Sequence, residues 1–207
     1  MKKLLVLALA VIIIGVNHNA YALLSNPGFE TGDFTGWTAT VPSGGSAAVV
    51  TTHAGTTTTY GPVFGRYFAE IKTDGPGSYT TLTQAFTITQ GDDIDGWAAF
   101  DAGDYDPFDD DAAVNILNSA GGVIATPWSA SVIADGDYVD TPWTYWQWIA
   151  PANGTYTLEY RVANFEDGDQ DSYALFDAED IIPEPASLSL LGIGLLGLMA
   201  KRRKKNI

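Results

Sequence analysis

The sequence predicts an all-β fold, a two-sheet jelly-roll sandwich flanked by an N-terminal signal helix and a C-terminal single transmembrane helix. Three observations predict it. First, Leu82, Gln84, Phe86 and Ile88 alternate with small or polar residues across Thr80 to Thr89, and Tyr156, Leu158, Tyr160 and Val162 do the same across Thr155 to Val162. Period two is the mark of a strand with one buried face. Second, Gly, Pro and Asp clusters separate further short candidates at Ala47 to Thr52, Tyr67 to Lys72, Ile94 to Phe100, Ala113 to Leu117 and Trp143 to Ile149. Third, the body shows no capped helical stripe. About eight or nine short strands with turns between them fold most economically as two packed sheets.

The elements follow in chain order. Residues 1–22 begin with Lys2 and Lys3, continue as an apolar run from Leu4 to Val16, and end in Ala20-Tyr21-Ala22. These are the three parts of a secretory signal peptide, with the small residues Ala20 and Ala22 set for cleavage after Ala22. A buried helix would need a polar face, and Leu4 to Val16 has none. Export through the Sec machinery is the expectation.

Residues 23–182 form one domain of ordinary size. They hold nearly all of the chain's 25 acidic residues but only three of its ten Lys and Arg, namely Arg66, Lys72 and Arg161. So acidic a body excludes nucleic acid as a partner, because phosphate binding needs a basic surface. The chain has no cysteine, so neither disulfides nor thiol chemistry can brace it outside the cell. Like charges repel in a compact state, which makes a bound divalent cation, Ca2+, the expected staple.

The densest acidic run is Asp101-Ala-Gly-Asp104-Tyr-Asp-Pro-Phe-Asp109-Asp-Asp111. Calcium takes six to eight hard oxygen ligands. Asp101, Asp104, Asp109 and Asp111 are therefore candidate ligands, although the order is not that of an EF-hand. The alternative is a solvated acidic loop. The second acidic turn, Glu166 to Asp171, offers similar oxygens.

His53 is the only histidine beyond the signal segment, and there is no Gly-x-Ser-x-Gly elbow. His53 is thus the one base a triad could use, but a lone loop histidine is expected to be exposed, and the Asp residues sit in turns expected to be wet. The chain therefore reads as a non-enzyme. Trp143, Tyr145, Trp146 and Trp148 make its most aromatic stretch. Trp146 and Trp148 share one strand face, either as a stacking platform for a saccharide or as core. Asn153-Gly154-Thr155 reads as a turn.

The domain is followed by residues 183–207: Pro183-Glu184-Pro185, an apolar segment 186–200, and a tail 201–207 that opens with Lys201, Arg202, Arg203, Lys204 and Lys205. The basic block is a membrane stop that stays on the cytoplasmic side. A fifteen-residue helix spans about 22 Å, short of the ~30 Å hydrocarbon core. Gly192, Gly194 and Gly197 weaken it further as a permanent anchor. Proline cannot continue a helix, so Pro183 and Pro185 present an extended segment just outside the membrane.

Pro-Glu-Pro, a short apolar helix and a terminal Arg/Lys cluster, in that order, resemble the PEP-CTERM sorting signal. The resemblance implies recognition by exosortase, a membrane transpeptidase. It also implies transient anchoring in the inner membrane of a Gram-negative bacterium, and a place at the cell surface or in a biofilm matrix rich in exopolysaccharide. In the body, Asn26-Pro27-Gly28-Phe29-Glu30 with Gly32 and Trp37 resembles the opening strand of galactose-binding-like jelly rolls found in carbohydrate-binding modules. Asp171 to Asp177 resembles their closing strand. That resemblance implies a calcium ion pinning the first and last strands, with Glu30 and Asp177 as ligands. Asp-Tyr-x-Pro-Phe-x-Asp is similar to phrases in secreted β-domains that carry such tails. The expected role is that of an exported structural protein of the surface or matrix. The alternative is a carbohydrate-binding module for extracellular polysaccharide, and a glycoside-active enzyme is the remote third reading.

Overall fold

The computed structural model describes residues 24–73, 75–165 and 167–179. Ala20 and Ala22, Pro183-Glu184-Pro185, the apolar segment 186–200 and the basic residues 201–205 lie outside the described residues. Among those described, no helix is long and apolar enough to cross a membrane.

In chain order the strands are β1 (Thr38–Thr40), β2 (Ser46–Val50), β3 (His53–Ala54), β4 (Thr59–Tyr60), β5 (Phe68–Lys72), β6 (Thr80–Ile88), β7 (Asp93–Asp101), β8 (Asp111–Leu117), β9 (Val123–Ser131), β10 (Thr144–Ile149), β11 (Gly154–Ala163) and β12 (Tyr173–Asp177). One helical turn, α1 (Val132–Asp135), follows β9. The first sheet has the order β1-β6-β11-β8-β9 and the second β10-β7-β12-β5-β2, while β3 and β4 form a separate hairpin. All pairings are antiparallel. From β5 onward the chain passes between the sheets at nearly every strand, which is the wrapping of a jelly roll.

The two runs with the cleanest alternation became the longest central pair. β6 and β11 place Leu82 opposite Tyr160 and Phe86 opposite Tyr156, and these inward residues meet the second sheet. At the centre the Tyr160 ring stacks on Phe176 at 4.1 Å and on Trp37 at 5.1 Å. Strand β7 passes closely over Trp146. A Cβ at Gly96 would lie 2.9 Å from that ring, so only glycine fits there.

Alternation fades in β7 and β12, where Ala98-Ala99-Phe100 and Ala174-Leu175-Phe176 are buried throughout. A strand covered on both faces needs apolar residues at every position. The cover is the β3–β4 hairpin with Trp143, which packs Tyr60 over Phe68, Ala99 and Leu175.

Four strands, β1, β3, β4 and β9, and the helical turn α1 lie outside the sequence expectations. β9 contains Pro127, a residue that argues against a strand; it is tolerated because β9 is an edge. The two-residue strands β3 and β4 are too short for any periodicity, and α1 is a single turn capped by the Ser131 side chain.

Candidate functional site

His53 is 6% exposed, not the exposed loop histidine that its surroundings suggest. Its Nδ1 lies 2.7 Å from Glu70 and its Nε2 2.9 Å from Asp101, with Tyr60 and Tyr173 against its ring. Burial alone would lower its pKa, but the hydrogen bonds to Asp101 and Glu70 carry it up to about 9. Next to it, the backbone N–H groups of Thr56, Thr57 and Thr58 all donate to Asp140. A buried imidazolium and a cradled carboxylate thus fasten the hairpin to the second sheet.

The four carboxylates expected to wrap one ion are dispersed. Asp101 is taken by His53 and by the Thr56 hydroxyl at 3.0 Å. Asp109 accepts from Ile133 N in α1 at 2.8 Å. Asp111 faces Arg161 at 3.4 Å. Asp104 turns inward and is 1% exposed. A strand end, a helix cap and an ion pair compete for neighbouring aspartates, because successive residues along the loop point in different directions. Among the described residues no group of three or more histidine, aspartate or glutamate side chains is arranged to hold a metal ion.

Glu30 and Asp177, named through the resemblance, meet at the loop before β5. Asp177 is fully buried, and its Oδ2 accepts from Val63 N and Phe64 N at 2.7 and 3.0 Å. Glu30 Oε1 accepts from Arg66 N and Tyr67 N at 2.8 and 2.9 Å. Burial pushes the Asp177 carboxyl up to about 6 against those N–H groups, and the Glu30 charge adds to the rise. Two glycines make the cradle. A Cβ at Gly65 would come within 2.3 Å of the Glu30 carboxyl, and one at Gly28 within 2.2 Å of the Ala178 carbonyl oxygen. Calcium takes hard oxygens, and no ion pair among the described residues reaches Glu30 or Asp177. Glu30 and Asp177 would hold the ion, and it would neutralise their mutual repulsion and tie the opening loop to the closing strand.

The aromatic stretch divides by parity. Trp146 is 2% exposed and belongs to the core, and half-buried Trp148 packs edge-on against Phe86 and Tyr156. They do not form an exposed platform, because their strand face is the one turned to the other sheet. The opposite face of β10 carries Tyr145, Gln147 and Ile149 beside Trp97, Asp95 and Asp93 of β7. Tyr145 is 47% exposed, its ring 5.5 Å from that of Trp97. Its hydroxyl donates to Asp95 at 2.7 Å, and Gln147 Nε2 donates to Asp93 at 2.7 Å. The bond to Asp95 raises the Tyr145 hydroxyl to about 12. This outward patch escaped the sequence reading, although parity along Thr144–Ile149 offered the signal once it was known which face packed.

Residues 182–204 match the family model of the PEP-CTERM protein-sorting motif. The chain carries a PEP-CTERM sorting signal. That signal implies export, sorting by an exosortase and transient anchoring in the membrane. The chain matches no curated protein. Among solved structures its sandwich is similar to TmCBM61 in complex with β-1,4-galactotriose, at 18% identity over 77% of this chain and 96% of that one, with a TM-score of 0.45. It is also similar to the CBM22-1 xylan-binding domain of Paenibacillus barcinonensis Xyn10C, at 14% identity over 73% and 87% of the two chains and a TM-score of 0.40. Arabinose-bound MgGH51 α-L-arabinofuranosidase matches at 15% identity and a TM-score of 0.45, over 79% of this chain but 27% of that enzyme.

Proposed function

We propose that this exported protein resides at the cell surface or in the extracellular matrix as a structural component that holds polysaccharide on the outward face of its β7–β10 edge. The observation that carries this reading is the pairing of exposed Tyr145 with half-buried Trp97, with Asp95 and Gln147 beside them. Saccharide rings pair an apolar face with a rim of hydroxyls, and such a site offers flat aromatic surface flanked by hydrogen-bonding groups. Binding is favoured over catalysis because His53, the one histidine of the body, is already held by Glu70 and Asp101. Calcium between Glu30 and Asp177 stiffens the domain.

The test is affinity electrophoresis of the full-length chain through gels containing extracellular polysaccharide. The wild type is expected to be retarded. Trp97→Ala and Tyr145→Ala are expected to weaken that retardation more than about tenfold, the loss usual for a central aromatic contact. Tyr145 is exposed and Trp97 half-buried, so the melting temperature should barely move for Tyr145→Ala, which is the variant that separates binding from folding. Variants that fold normally and migrate as the wild type does would leave a matrix protein without this glycan grip. The route is tested separately by fractionating cells with and without exosortase. Retention on the envelope is expected only with the enzyme, and equal loss to the medium in both would sink the sorting role.

A further inference from the structure

The strand registers bring six inward-facing polar residues to one end of the sandwich. Thr73, Thr80, Asp104, Asp110, Asn164 and Ser172 each stand two positions beyond a core residue, respectively Ile71, Leu82, Ala102, Ala112, Val162 and Ala174, and each is at most 3% exposed. The core therefore does not end in an apolar plug. It ends in oxygen and amide groups contributed next to β5, β6, β7, β8, β11 and β12.

Some of these groups are satisfied. Ser172 Oγ donates to Asp110 Oδ2 at 2.6 Å and accepts from Gly103 N at 2.9 Å. Phe165 N donates to Asp110 Oδ1 at 3.2 Å, and Ser172 N donates to Thr73 Oγ1 at 3.0 Å. The loops are in close contact: a Cβ at Gly103 would fall 1.9 Å from the Asp171 carbonyl oxygen. Yet Thr80 Oγ1, Asp104 Oδ2 and both Asn164 Oδ1 and Nδ2 are buried without a partner among the described residues. Most of the buried side-chain atoms without a partner among the described residues are gathered at this one end. Natural interiors leave few such atoms, and each calls for an occupant.

The occupant must suit the charge. No ion pair among the described residues reaches Asp104 or Asp110. The charges beside them are of the same sign. Asp167 and Asp169 lie near enough to act on Asp104, and Asp104 and Asp167 on Asp110. Since only two carboxylates, Asp104 and Asp110, are among these six residues and no larger metal-holding group of acidic or histidine side chains occurs among the described residues, a cation here would take a mixed set of oxygens. Carboxylate, amide carbonyl and hydroxyl oxygens are the ligands of a hard ion, and no sulfur or imidazole is present to favour a softer one.

We propose that this end of the sandwich holds a hard divalent cation, calcium in the first instance, bound by Asp104 and Asp110 with the Asn164 carbonyl oxygen and the Thr80 hydroxyl. It would pin the ends of strands from both sheets. The site is independent of the Glu30–Asp177 pair, because Ser172 precedes β12 and Asp177 closes it.

The test is calorimetric titration of chelator-treated full-length protein with calcium at neutral pH, on the wild type, Asp104→Asn, Asn164→Ala and Glu30→Gln. Asp104→Asn keeps the oxygen that accepts from Tyr105 N, so it is the variant most certain to fold. Asp104→Asn and Asn164→Ala are expected to weaken one binding event by about tenfold or more and to spare the event that Glu30→Gln removes. The calcium-dependent rise in melting temperature, read on the same proteins, should shrink in Asp104→Asn. Titrations of Asp104→Asn that superimpose on the wild type, or a wild type that takes up no calcium, would overturn the inference and leave waters and protonated carboxyls as the occupants. If Glu30→Gln removes no event while Asp104→Asn does, the end site stands and the Glu30–Asp177 reading falls.

Discussion

Replacing His53 by alanine is expected to destabilise the fold by about 3–5 kcal/mol, the usual loss when one member of a buried ion pair is removed. Glu70 and Asp101 would keep their charges without the imidazolium between them, and Asp101 is only 5% exposed. Folded domains have about 5–15 kcal/mol in total, so this one contact decides whether the β3–β4 hairpin stays closed. The wild type should also show a pH signature. The groups that face the ring are Glu70, Asp101, Tyr60 and Tyr173, with Asp140 behind Asp101. Because the folded pKa of about 9 lies above the ordinary 6.5, the folded state binds the proton more tightly. The stabilisation is complete below pH 6.5 and is lost as pH rises through 9. Melting temperatures recorded across that window should fall for the wild type and stay level for His53→Gln. A level wild-type profile would mean that the imidazole is neutral in the fold.

Tyr160→Ala is expected to cost a further about 3–5 kcal/mol by opening a cavity at the centre of the core. The ring lies between Trp37 and Phe176 and meets Trp146 edge-on, so its loss removes contacts to the second sheet and to the loop before β1 at once. Burial also holds its hydroxyl far above the usual phenol range, and the group enters no ionisation near neutral pH. Tyr160→Phe, which keeps the stack, should cost less than about 1.5 kcal/mol. Chemical denaturation of the two variants separates the effects. Equal losses would place the energy in the hydroxyl and not in the stack.

These two residues differ in how much of their role the sequence revealed. Tyr160 stands in the Thr155 to Val162 alternation, and period two alone put it on a buried face. His53 is surrounded by Thr and Gly, and nothing local marks it as buried, since its partners are 17 and 48 residues away. The tryptophans behave likewise. That Trp146 and Trp148 share a face follows from strand geometry, but which face meets the other sheet depends on β7 and β11. The acidic residues were the least legible. Asp104, Asp109 and Asp111 look equivalent in sequence, yet one turns inward, one caps α1 and one meets Arg161.

By itself the sequence determined the all-β sandwich and the sorting signal, because both rest on patterns whose meaning is local: alternation that must bury one face, and a Pro-Glu-Pro segment, apolar run and basic cluster in fixed order. Only the tertiary structure decided which carboxylates lose water, which aromatic rings keep it, and where unpaired oxygens gather. Those properties depend on burial, and burial is conferred by strands that lie far apart in the chain and adjacent in the fold.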